Sequence, residues 1–392
     1  MIGNGCTADN QAACWQAAIN ASQRWPSFGR VVGTAGKTYK ISNTIVICNA
    51  AEGVIDGRGA QLEWQGKPTD EQGRPKSLFL VLSSNHIRFT NFYIKSSAPS
   101  YPLGAAFEFA STVTNPKEYS EAICPGAPRP SSKNSIDHVT VEGTNLNGLL
   151  YGVRFSNRYG ININGASNDG INNDMSTVID SNFYNVTNAA ISVEHSQSGQ
   201  HRLIAVNGYG APGNKGCYVD AQSGMLASTG GFQGSWGKAN FCLSGTSGTF
   251  DITESDSEGS KRLLSSGNVG DATGFPVSIN IQGGRFAVNG LHADGKLIDF
   301  NRLGPLLVRG LHIDGSPPVA GTQASISIQP GQMPHVPPIA GSAIIEGVSF
   351  MTPSSNSWPI TVVKSFIDLT YQSNLCVDKD SYSVACMAPQ RN

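Results

Sequence analysis

Charge is what this 392-residue sequence has least of. Asp, Glu, Lys and Arg make up only 14% of it, and 27 basic against 28 acidic side chains leave a net charge of −1. A chain so balanced offers no general attraction for nucleic acid or for an anionic membrane surface. No run of 18 or more apolar residues occurs, so no segment reads as membrane-spanning. The first residues lack a basic stretch followed by an apolar one, so a signal peptide is expected to be absent or already removed. There is no Cys-x-x-Cys pair, which argues against a thiolate zinc site. A phosphate-binding glycine loop, a His-x-x-x-His pair and a serine nucleophile elbow are missing too. Helices are scarce. Only Thr7 to Gln23 has a helical period, with Ala12, Trp15, Ala18 and Ile19 on one face and Thr7 or Asp9 as N-cap; Trp25-Pro26 ends it.

Glycine fills the gap, with 45 residues, and Asn, Ser and Thr separate short apolar runs. From Ser135 to Gly267 a weak pattern recurs. Its lines are Tyr151-Gly-Val-Arg-Phe-Ser156, Ala189-Ala-Ile-Ser-Val-Glu194, Gly216-Cys-Tyr-Val-Asp220 and Ala239-Asn-Phe-Cys-Leu-Ser244. Glu194, Asp220 and Ser244 are 26 and 24 residues apart. A period in that range, carried by β segments, marks a solenoid, in which each coil buries its apolar face only by stacking on its neighbours. Alternation then puts Ile191 and Val193 inside with Cys217 and Val219, and Ser192, Glu194, Tyr218 and Asp220 outside.

The eight cysteines form an even set. Cys6 with Cys14, and Cys376 with Cys386, are close pairs near the ends, expected as disulfides in an oxidising, extracellular compartment. Cys217 and Cys242 are one coil apart but offset by one position, an arrangement that turns one inward and the other outward.

The opening of the chain resembles the pectin-lyase-like right-handed parallel β-helix proteins, and among them the phage tailspike and polysaccharide-depolymerase type. The resemblance rests on the helix, on Gly36-Lys37-Thr38-Tyr39, on Ile55-Asp56-Gly57-Arg58-Gly59 and on the coil pattern; Asp9-Asn10-Gln11 matches in part the family's doubled Asp and Thr. It implies an all-β fold, a single-stranded right-handed parallel β-helix. The helix cap would occupy residues 1–30, the coils 31–370 and a C-terminal tail 371–392, with excursions near 115–133 and 160–174. It also implies a polysaccharide substrate, a secreted or virion-associated location and, as one assembly, a homotrimer.

The chemistry expected is hydrolysis of an extracellular glycan. Glu194 and Asp220 fall on one outward row, where repulsion raises one carboxyl as acid while its neighbour stays charged. Asp169, in Ser167-Asn-Asp-Gly-Ile-Asn-Asn-Asp174, resembles the Asn-Thr-Asp-Gly line of polygalacturonase-type hydrolases, but the paired Asp, Gly-His-Gly and Arg-Ile-Lys lines of that group are missing. His195, Arg202, Tyr218 and Trp236 are substrate-binding candidates through hydrogen bonds and stacking. Glu254 and Asp256 join them, since Thr253 to Glu258 holds three acids in six residues. No metal or cofactor is expected for a hydrolase; calcium would accompany the alternative, a polysaccharide lyase or uronate epimerase. A non-catalytic carbohydrate-binding β-helix is the other alternative.

Overall fold

The computed structural model describes residues 11–378 and 381–385, apart from 25–26, 71–72, 74, 97–101, 111–130, 145, 157–172, 195–198, 223, 244–247, 267–276, 301–304, 316–324, 329–340, 352–359, 363–366 and 373–374. The chain divides into two compact units, Met1–Asn214 and Lys215–Asn392. Each is built of parallel coils, and the all-β right-handed parallel β-helix expected from the sequence is the architecture present.

In the first unit one sheet is made of short strands in the order Ile45–Cys48, Ser77–Leu82, Leu103–Ala110, Leu149–Ser156 and Ala189–Val193, every pairing parallel. A second sheet runs through Ala51–Trp64, Asn85–Ser96 and Ser135–Gly143, and continues in shorter pairs. Each of its strands bends into two arms at a left-handed residue, one per coil: Arg58, Asn91, His138, Asp180 and Ala205. Side chains alternate across the second arm. Its outer face carries Thr38, Gln61, Tyr93, Thr140, Asn182 and Asn207 in one row. The next row holds Lys40, Glu63, Lys95, Glu142 and Tyr184.

The inward residues form a column of rings. Phe79 stacks on Phe107 with centroids 5.5 Å apart, Phe109 on Phe155 at 5.6 Å, and Phe155 on His201 at 4.0 Å. Identical register makes the two Phe stacks automatic, since equivalent side chains lie about 4.8 Å apart, while His201 comes from the bent sheet. His201 is fully buried, and burial lowers its pKa to about 3 against backbone contacts at Ser176 and Asn173 that work the other way.

The helix Ala12–Ser22 closes the first coil. Ala12, Trp15 and Ile19 are buried, as their spacing predicted, while Ala18 is only half-buried. Its N-cap position is Gln11, which makes no capping bond; Thr7 and Asp9 lie outside the described residues. Glutamines satisfy the open strand edges. Gln16 accepts from Val46 N and donates to Val46 O, both at 2.8 Å, Gln11 accepts from Lys40 N, and Gln23 donates to Cys48 O. An uncovered edge strand invites pairing with another chain, and these amides occupy it.

In the second unit the short-strand sheet holds Cys217–Ala221, Ala239–Leu243, Leu264–Ser265, Lys296–Phe300, Ser325–Ile328 and Ile360–Val362. The bent sheet turns at Gly230, Glu254, Gly283, Gly310 and Gly347, all left-handed. Its last parallel strand, Leu375–Asp378, pairs antiparallel with Ser381–Ala385. Cys217 and Cys242 are joined by a disulfide, with Cα atoms 6.0 Å apart. That corrects the expectation that the two face opposite ways, since the separation is within reach of one bond. Cys14 and Cys48 each take part in a disulfide of their own. Cys6 and Cys386 lie outside the described residues, as does the side chain of Cys376.

Candidate functional site

Solvent-facing residues of a solenoid sheet should be wet, yet the short-strand sheet of the first unit is buried on both faces. Leu103–Ala110 and Ala189–Val193 are buried along their whole length. At the first coils the outward face is apolar, with Val46, Cys48, Leu80, Leu82 and Ala110 in one cluster. Farther along it becomes charged. Leu80 is paired with Glu108, Glu108 with Arg154, and Arg154 with Ser192.

Arg154 is the centre of this group. Its Nε donates to Glu194 Oε1 at 2.6 Å and its Nη2 to Glu194 Oε2 at 3.0 Å. Ser192 Oγ donates to Glu194 Oε1 at 3.3 Å, and the Tyr151 ring lies 5.1 Å from the guanidinium. Glu108, with no exposed surface, accepts a bond from Ser77 Oγ. Burial opposes the charge on Arg154, but the negative charges of Glu108 and Glu194 outweigh it, so its pKa lies above the ordinary arginine value. The side chains of Arg154 and Glu194 are only 16% and 8% exposed.

This alters the reading of Glu194. The sequence put it on an open outward row; the structure buries it in an ion pair, because register brings Arg154 alongside from 40 residues upstream. Both its oxygens accept hydrogen bonds. Glu108 and Arg154 were missed as a set. The signal for Glu108 was present, a lone acid inside the apolar strand Leu103–Ala110.

Asp220 is half-buried in the second unit, beside Cys242 on a row that continues to Ser265 and Asp299. Asp299 accepts from Arg262 Nη1 at 2.6 Å and from Lys296 Nζ at 3.3 Å, and Arg262 also binds Asp294. Tyr218 is a correction. It is fully buried, with Phe241 at 5.7 Å edge-on and Trp236 at 6.4 Å. Burial pushes its pKa up, against Ser228 and Gln233, which work the other way. Trp236 is buried as well, so neither ring is open to a sugar; Tyr218 fills space that alternation alone had assigned to solvent. Arg202 is exposed, but on the first arm of the bent sheet beside Thr177, not on the sheet of Glu194. Glu254 sits at an exposed left-handed corner, and exposed Asp256 starts the second arm beside Arg285. Asp169 and His195 lie outside the described residues. Among the described residues no group of three His, Cys, Asp or Glu converges to hold a metal ion.

No protein-family model matches the chain, and no curated protein matches it. Solved structures similar to it include the surface protein and adhesin PfbA of Streptococcus pneumoniae, at 11% identity and a TM-score of 0.49 over 95% of this chain and 94% of that one. DFA-IIIase from Arthrobacter chlorophenolicus A6 has 10% identity and a TM-score of 0.47 over 99% and 91%. Endo-xylogalacturonan hydrolase from Aspergillus tubingensis has 11% identity and a TM-score of 0.40 over 97% and 98%. No helix is long and apolar enough to cross a membrane among the described residues.

Proposed function

We propose that this chain is an extracellular polysaccharide-directed β-helix that cleaves its glycan by hydrolysis. The observation that carries the reading is the buried charged group on the outward face of the first unit's short-strand sheet. Burying Glu108, Arg154 and Glu194 costs several kcal/mol of desolvation, and such groups gather at functional sites more often than elsewhere. In this reading Arg154 holds Glu194 as a charged carboxylate that steadies positive charge building up on the sugar ring. The proton donor is sought by substitution at Asp220 and Asp169. The disulfide Cys217–Cys242 supports an oxidising compartment.

A second reading has one observation in its favour. The clamp of Arg154 on both oxygens of Glu194 is also what a purely structural ion pair looks like, and it fits a glycan-binding β-helix without catalysis. Incubation with a polysaccharide panel decides between them, reading reducing ends alongside absorbance of unsaturated uronates. Hydrolysis predicts new reducing ends without ultraviolet absorbance, and their loss in Glu194→Gln. Absorbing products point to a lyase. Retention of polymer without any new ends leaves the binding reading.

A further inference from the structure

We infer that the outer face of the second arm in the first unit is a binding surface for an uncharged polysaccharide lying across the coils, centred on Tyr184 and Tyr209. The inference rests on the reading of the chain as glycan-directed, but it concerns a different sheet from the one that bears Glu194.

The surface is written into the sequence as a repeat. Asn182-Phe183-Tyr184 recurs 25 residues later as Asn207-Gly208-Tyr209, with Thr177-Val-Ile before the first and Arg202-Leu-Ile before the second. Parallel pairing of Asn182 with Asn207 turns that repeat into a ladder. The two tyrosine rings stack with centroids 5.3 Å apart and planes 19° from parallel. Asn207 Nδ2 donates to Asn182 Oδ1 at 2.8 Å, so the amides lie side by side along the rings. Glu142, one coil back in the row of Tyr184, accepts the hydroxyl of Tyr93 from the coil before it.

All six residues are half-buried. Half-exposed aromatic rings flanked by amides, hydroxyls and a carboxylate match a sugar ring, which pairs an apolar C–H face with a rim of hydroxyls. The ladder advances one step per coil, about 4.8 Å, a step comparable with the width of one pyranose. Charge selects the class. The four charges at Lys40, Glu63, Lys95 and Glu142 alternate in sign along the row and cancel, so the face neither attracts nor repels a polyanion as a whole. An uncharged polymer is the ligand whose chemistry fits, since it needs stacking and neutral hydrogen bonds only.

The test is affinity electrophoresis of the full chain in gels containing galactomannan, arabinoxylan, mixed-linkage β-glucan or polygalacturonate, with reducing-end release from short oligosaccharides measured beside it. The variants are Tyr184→Ala with Tyr209→Ala, and Asn182→Ala with Asn207→Ala, the second pair being the one less costly to packing; circular dichroism and thermal midpoints check that each is folded. The expected result is retardation of the wild type by a neutral polymer, weakened about tenfold in the tyrosine variant as an aromatic platform is lost, with any release from short oligosaccharides unchanged. Equal retardation of folded variants and wild type overturns the inference while leaving the hydrolytic reading in place. Retardation by polygalacturonate alone, or by no polymer, overturns it as well. Ladder-dependent retardation without any release of reducing ends supports the surface and removes hydrolysis.

Discussion

Arg154→Met is the substitution whose outcome depends most directly on the buried charge group. In the native chain Arg154 answers two acids, Glu194 through paired hydrogen bonds and Glu108 through its charge. Methionine keeps most of the stem volume but leaves both carboxyls buried without a counter-charge. Breaking a buried pair by removing one partner costs about 3–5 kcal/mol, a factor of roughly a hundred to several thousand in the folding equilibrium. Glu194→Gln should be milder, about 1–3 kcal/mol, because Glu108 still faces Arg154 and the amide oxygen still accepts a bond. In Arg154→Met with Glu194→Met the damage should be less than the sum of the single changes by roughly 0.5–3 kcal/mol, since the second change removes a charge the first had stranded. Urea unfolding followed by far-ultraviolet circular dichroism measures this, as a shift of midpoint at constant slope. A solenoid can unfold in segments, so the shift belongs to the transition of the first unit. An Arg154→Met protein within about 0.5 kcal/mol of wild type, or strictly additive single changes, would refute the claim that these charges depend on one another.

Other perturbations have equally definite outcomes. His201 carries a folded-state pKa lowered to about 3 by burial, below the unfolded value near 6.5. Its contribution is therefore fully present above about pH 6.5 and is lost as pH falls toward 3, at up to about 1.4 kcal/mol per pH unit. Stability measured from pH 7 to 4 should fall, and His201→Gln should flatten that slope; an unchanged slope would refute the assignment. Reducing the Cys217–Cys242 disulfide, which spans 25 residues, should cost about 3–4 kcal/mol by the loop-entropy model, with the linked peptides visible by mass spectrometry before reduction. Gly53→Ala should be severely destabilising, because a Cβ there would meet the Phe28 ring at 1.8 Å; a thermal midpoint matching wild type would show that the ring can move aside.

Much of this fold could be read before any coordinates. The alternating lines at Tyr151, Ala189, Cys217 and Ala239 all became strands of the short-strand sheets, because a period of two and a coil-length repeat are local properties. The helix face of Ala12, Trp15 and Ile19 was legible for the same reason. What escaped depends on neighbours from other coils. Alternation placed Tyr218 on a face but could not say that Trp236 and Phe241 would close around it. A carboxylate at 194 was visible; its clamp was not, since Arg154 reaches it only through the register of two strands. The Asn-x-Tyr repeat is itself local, its two copies standing 25 residues apart at Asn182 and Asn207.

The corner residues carry a consequence of their own. A left-handed backbone costs an ordinary side chain about 1 kcal/mol or more, which glycine avoids. The second unit meets most of its corners with Gly230, Gly283, Gly310 and Gly347. The first unit accepts the strain and gains side chains there: Asn91 donates to Asp56 at 3.1 Å, and His138 lies 3.2 Å from Asp137 and 3.8 Å from Asp180. Four of those corners, Arg58, Asn91, His138 and Asp180, carry exposed side chains, one per coil, that can vary at the surface. Under selection such a column can drift, acquire charge or lose it, and so change what the surface meets. A glycine column has no side chain to exchange, and any replacement there first takes on the left-handed cost.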